Sequence, residues 1–114
     1  QVFYFEPHRL WYLIYQIPSP NGDSYQPVYS TNRQIDNFFS WTRPLPLISK
    51  AEADNQRRID FWVICDDKFA YLFFWDNAGS TYCRRTDLNN FPKGFCLPKK
   101  KTPWKFTKLG MCTN

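Results

Sequence analysis

Ile59-Asp60-Phe61-Trp62-Val63-Ile64-Cys65-Asp66-Asp67-Lys68-Phe69-Ala70-Tyr71-Leu72-Phe73-Phe74-Trp75-Asp76-Asn77-Ala78-Gly79-Ser80-Thr81-Tyr82-Cys83-Arg84-Arg85 holds three strand-like runs parted by two polar turns. β-Branched and aromatic residues fill 59–65, 69–75 and 80–85, while Asp, Asn, Lys and Gly interrupt them. A tight connection at 66–68 predicts an antiparallel meander with Cys65 opposite Ala70, Val63 opposite Leu72 and Phe61 opposite Phe74. One face then carries Phe61, Val63, Cys65, Ala70, Leu72, Phe74 and Cys83; the other carries Trp62, Ile64, Tyr71, Phe73, Trp75 and Tyr82. Both faces are apolar, whereas an antiparallel sheet commonly leaves one face in water. A further layer of protein, a partner chain or a ligand must therefore cover the second face.

Outward from this meander, 10–17, 25–30 and 38–42 read as further strands, with a shorter one at 104–108. Pro18-Ser19-Pro20-Asn21-Gly22 supplies a turn between the first two. Short strands at such spacing predict an all-β fold, a small antiparallel β-barrel or sandwich, as one domain over residues 1–114. Ser49-Lys50-Ala51-Glu52 has capping-box form, so 49–58 is the one segment where a surface helical turn is expected.

Cys65, Cys83, Cys96 and Cys112 are even in number and separated by 17, 12 and 15 residues. Zinc ligands usually come as close pairs completed by histidines, and His8 is the only histidine. Two disulfides are the expectation, with no metal and no cofactor. In the meander Cys65 and Cys83 lie two strands apart, roughly 10 Å, beyond the about 7 Å a disulfide tolerates. That leaves Cys65–Cys112 with Cys83–Cys96, or Cys65–Cys96 with Cys83–Cys112. Gln1 rather than Met opens the sequence, which together with the cysteines leads to an expectation of a secreted chain freed of its signal peptide. No apolar run approaches the roughly 20 residues of a membrane helix.

Three stretches resemble the lipocalins. Leu10-Trp11-Tyr12-Leu13-Ile14-Tyr15-Gln16-Ile17-Pro18 looks like that family's first strand, although Arg9 stands where its glycine belongs. Phe61 to Ala70 is similar to its second motif, with Cys65-Asp66-Asp67 in place of Thr-Asp-Tyr, and Tyr82-Cys83-Arg84-Arg85 falls where its third motif has an arginine. The resemblance implies a cup holding a small hydrophobic or aromatic ligand, with Arg84 or Arg85 over Trp11. It covers about a third of the chain, and the distance from Trp11 to Asp66 is short for the strands the family needs. A fainter resemblance is to the cystatins, through Pro103-Trp104 ahead of Cys112, but their helix and Gln-x-Val-x-Gly loop are missing.

The functional expectation is a secreted binding protein and no enzyme. Trp11, Trp62, Tyr71, Phe73 and Trp75 are the candidate ligand-lining residues, although aromatics at strand spacing more often form core. A net charge of +5 and a basic surface of Arg57, Arg58, Arg84, Arg85, Lys99, Lys100 and Lys101 favour, as the alternative, a partner protein or an anionic glycan, with nucleic acid less expected in a secreted setting. Charge runs are usually solvated loops, which is the plain reading of 99–101. Asp66-Asp67 reads as turn chemistry rather than a catalytic pair. Glu6 and His8 could act as acid and base on RNA if extended, but an exposed N-terminal arm explains them as well.

Overall fold

The computed structural model describes residues 1–20, 24–48, 58–76 and 79–95, with 104–106 and 112–113 as strand backbone. Two antiparallel sheets face each other. The first has β1 (Val2–Phe5), β2 (Leu10–Pro18), β3 (Tyr25–Asn32) and β4 (Leu45–Pro46) in that order. The second has β5 (Ile59–Cys65), β6 (Phe69–Trp75), β7 (Thr81–Asp87), β8 (Trp104–Phe106) and β9 (Cys112–Thr113), again in sequence order. Each sheet is thus an up-and-down meander, with β1 and β4 outermost in the first and β5 and β9 outermost in the second. The fold is all-β, and the closed barrel among the expected forms is replaced by two separate sheets.

Core residues come from alternate positions of both sheets. Phe5, Tyr12 and Ile14 meet Phe61, Val63, Ala70, Leu72 and Phe74, and Leu47, Ile48, Phe91 and Phe95 close the sides. Full burial of such side chains stabilises by about 1.5–3 kcal/mol each before entropy is counted. Two outer faces remain. That of the first sheet shows Val2, Tyr4 and Ile17, while that of the second shows Trp62 and Ile64, each 52% exposed.

The β5–β6 hairpin has the register its turn implies: Cys65 pairs with Ala70 and Val63 with Leu72. Toward the start of β5 the register slips, for Ile59 pairs with Trp75 while Trp62 pairs with Phe73. β7 departs from the expected faces. Phe74 pairs with Tyr82 and Phe73 with Cys83, so Tyr82 lies on the core side and Cys83 on the side of Trp62. The 76–80 connection sets that parity, and one residue of slip moves every side chain to the other face. Cys83 is nonetheless buried, with β8 paired across it.

Among the described residues no disulfide forms. Cys65 is a free, exposed thiol at the strand end, Cys83 lies in mid-strand, and the side chains of Cys96 and Cys112 are outside the description. The expected partner side chains of Cys65 and Cys83 thus fall outside the described residues. Three local readings also change. Residues 2–5 are a strand and Glu6–His8 a 3-10 turn rather than a loose arm. Residues 38–42 form turns, and the strand beside β3 is β4. The expected helical turn at 49–58 falls outside the described residues apart from Arg58.

Candidate functional site

At one end of the molecule β2 runs out into its turn, β3 begins, and β5 starts. The turn is closed by Ser19, whose N–H and hydroxyl both donate to Ser24 O at 2.8 and 2.9 Å. It is tied to the second sheet by two residues. Tyr25 N–H donates to Arg58 O at 3.2 Å, and Arg58 N–H donates to the Ser24 hydroxyl at 2.7 Å. Next along β5 is Asp60, whose N–H donates to Gln16 Oε1 at 3.1 Å. Ile59 pairs with Trp75, so Tyr25, Asp60 and Trp75 come to one end of the fold. Tyr25 is 37% and Trp75 38% exposed.

Asp60 is the extra residue that produces the slip in β5, a bulge with φ of +59°. Non-glycine residues rarely take left-handed angles, and bulges recur beside active sites because they re-aim a side chain. Arg9 is the other such residue among those described, and it is accounted for as the cap of the 3-10 turn, where its N–H donates to Glu6 O at 3.0 Å. Asp60 closes no turn. Its carboxylate is exposed and has no hydrogen-bond or ion-pair partner among the described residues.

The first acids of the two hairpin turns of the second sheet are committed. Asp66 Oδ1 accepts from Lys68 N–H at 2.8 Å and Phe69 N–H at 2.6 Å, and Tyr71 O–H donates to Oδ2 at 3.2 Å. The Phe69 and Lys68 amides hold this carboxyl below its ordinary range. Asp76 accepts from Ser80 N–H at 3.0 Å and Tyr82 O–H at 3.2 Å. His8 Nδ1 lies 2.7 Å from the Tyr12 hydroxyl, whose pKa burial pushes up to about 12, so the two form a structural pair.

Four of the five aromatic candidates share one face, and Trp11 stands apart from them. Trp11 lies half-buried on the outer face of the first sheet, edge-on to Tyr4 at 5.2 Å, while Trp62, Tyr71, Phe73 and Trp75 are on the outer face of the second. The core separates the two sets. Arg58 and Arg84 are 1% and 3% exposed, and their guanidinium groups lie over the Phe74 ring at 5.7 and 5.9 Å. Arg84 Nη1 donates to Phe95 O at 3.2 Å, and neither arginine reaches the surface or Trp11. Arg85 is exposed and covers the Phe69 ring at 4.1 Å. Arg57, Lys99, Lys100 and Lys101 lie outside the described residues. Asp60 and Gln16 went unnoticed in the sequence. Their one signal was an Asp, a residue depleted in strands, at the second position of a strongly β-forming run.

The family model described as glycosyl hydrolase family 62 matches residues 1–102. Alpha-L-arabinofuranosidase C of Cellvibrio japonicus is 38% identical over 92 residues, 81% of this chain and 13% of the relative. The catalytic domain of the Coprinopsis cinerea GH62 alpha-L-arabinofuranosidase superposes with a TM-score of 0.66 at 41% identity, over 82% of this chain and 29% of that one. A GH62 hydrolase in complex with xylotriose gives 0.64 at 39% identity, over 82% and 30%. The chain therefore spans less than a third of the proteins it matches. These matches overturn the lipocalin and cystatin resemblances, the carrier of a small hydrophobic ligand, the protein-binding inhibitor and the expectation that the chain is no enzyme. The lipocalin likeness rested on aromatic alternation and a polar hairpin turn, features that any antiparallel hairpin of this composition shares.

Proposed function

The chain belongs to glycosyl hydrolase family 62, and from that premise we propose that it forms part of a glycan-cleaving module acting on α-L-arabinofuranosyl linkages. Asp60 supplies one of the carboxylates at the reaction centre. Glycoside hydrolysis typically uses two carboxyl groups about an oxocarbenium-like transition state, where negative charge near the anomeric carbon is stabilising. The observation that carries this reading is the left-handed bulge, whose exposed carboxylate has no partner among the described residues, at the end of the fold where the rings of Tyr25 and Trp75 are also partly exposed. Those rings offer faces on which the C–H side of a sugar lies, leaving its hydroxyls to polar neighbours. Asp66 and Asp76 are engaged by hydrogen bonds in their turns and do not serve as the second carboxylate. An extracellular working place fits a polymeric glycan substrate, which does not cross membranes.

Asp60→Asn keeps the side chain's shape and tolerates the same backbone angle while removing the charge. Arabinose release from arabinoxylan is expected to fall by a factor on the order of 100 or more, with xylotriose affinity within about twofold of the parent. Undiminished release by Asp60→Asn would remove Asp60 from the reaction centre.

A further inference from the structure

β5 is the first strand of its sheet and, among the described residues, has a strand neighbour on one side only. Such a strand leaves main-chain donors and acceptors along its free rim, and each needs a partner when buried. Two carboxamides from the first sheet provide them. Gln1 Nε2 donates to Val63 O at 2.7 Å, and Val63 N–H donates to Gln1 Oε1 at 2.8 Å, so one side chain makes the two bonds a paired strand residue would make. Gln1 is itself anchored on β2, because Ile14 N–H donates to its carbonyl at 2.8 Å. Upstream of Val63, Asp60 N–H donates to Gln16 Oε1. The bulge is therefore gripped by Gln16 at the odd residue and by Gln1 where the regular ladder resumes.

We propose that Gln16 is a positioning residue for Asp60: its carboxamide oxygen fixes the bulge and with it the direction of the carboxylate. A residue at φ of +59° is held in a conformation that most side chains avoid, so something outside the residue must favour it. A hydrogen bond to the amide of that same residue does so directly. Gln16 also stands just ahead of Ile17 and Pro18, which lead into the turn that ends at Tyr25, so one segment of β2 sets both the carboxylate and the aromatic beside it. This inference rests on Asp60 being a reaction-centre carboxylate.

Gln16→Met keeps length and bulk but has no comparable acceptor, whereas Gln16→Glu restores an oxygen at the same reach. Amide hydrogen exchange read by NMR reports the contact itself. Asp60 is expected to exchange about tenfold faster in Gln16→Met and at the parent rate in Gln16→Glu, with the Val63 amide unchanged in both as the check on folding. On arabinoxylan, kcat falls about tenfold in Gln16→Met with KM within about twofold, and recovers in Gln16→Glu. Should the Met variant not fold, Gln16→Asn, one methylene too short to reach, is measured in the same way. If arabinose release by the parent chain is below detection, the xylotriose-induced shift of the Asp60 amide resonance replaces it, present in the parent and Gln16→Glu and lost in Gln16→Met. Unchanged Asp60 exchange without the acceptor overturns the inference, and so does faster exchange with unaltered kcat while Asp60→Asn is inactive. An active Asp60→Asn, or no xylotriose response at Asp60 in the parent, overturns instead the assignment of Asp60, and the positioning role with it.

Discussion

Substitutions at Asp60 separate what the backbone requires from what the chemistry requires. At φ of +59° an ordinary side chain costs about 1–2 kcal/mol through its Cβ, Asp and Asn are better tolerated, and glycine has no such penalty. Glycine's greater freedom in the unfolded chain returns roughly 0.5–1 kcal/mol of that advantage. Asp60→Asn is thus expected within about 0.5 kcal/mol of the parent and Asp60→Gly within about 1 kcal/mol. Asp60→Ala should lose about 1 kcal/mol and Asp60→Val about 2 kcal/mol or more, because a β-branched residue is a strong outlier there. Urea unfolding followed by tryptophan fluorescence measures the series, and for a chain of this length 1 kcal/mol moves Tm by about 3–6 °C. All four variants should be poor at releasing arabinose. The decisive pattern is Asn and Gly folded like the parent but inactive, with Ala and Val progressively less stable. Glycine as the least stable member, or valine equal to the parent, would refute the left-handed bulge and the argument built on it.

Phe74 is buried against Tyr82 at 5.5 Å and lies beneath two guanidinium groups. Phe74→Leu keeps the hydrophobic bulk but removes these ring contacts, and about 3 kcal/mol should be lost in chemical denaturation; a loss under about 1 kcal/mol would show that the arginines do not depend on the ring. Asp66 has a folded pKa held below its ordinary 3.8, so its contribution is fully present above that value and disappears as pH falls through the folded value. The Tm deficit of Asp66→Ala should narrow on acidification, and a deficit that widened would contradict the two amide bonds. Gly94 has φ of +86°, and a Cβ there would stand 2.5 Å from Thr86 Oγ1, which already donates to Lys93 O at 2.8 Å. Gly94→Ala should cost about 2 kcal/mol or more by thermal unfolding, and a neutral result would mean that the 88–95 loop readjusts freely.

The second sheet was legible where local rules act alone. Turn chemistry at Asp66 and strict alternation on either side lead to the pairing of Cys65 with Ala70 and of Val63 with Leu72. Legibility ended at Asp60, because a bulge is a single backbone angle and leaves no mark on hydrophobic periodicity. It ended again at 76–80, where the length of a connection decides parity and Tyr82 and Cys83 exchange faces. Arg58 and Arg84 read as surface charges since arginine is rarely buried, and only the packed Phe74 ring shows why both are interior. The aromatic candidates were chosen by residue type, and topology put Trp11 on the opposite side of the core from Trp62. The site itself stayed hidden because Gln16 and Asp60, separated by 44 positions, meet only when two sheets dock.

Within each sheet, strands are joined through the main chain, which no substitution short of proline can delete. Between β5 and the first sheet, the side chains of Gln1 and Gln16 make joints of a different kind, beside the main-chain bond from Tyr25 to Arg58. A seam of that kind is open to editing one codon at a time: its grip and its alignment are heritable traits of two residues, tunable by evolution or by an engineer while both ladders stay intact. The place where this fold is easiest to rewrite is thus the place where Gln16 meets the Asp60 bulge.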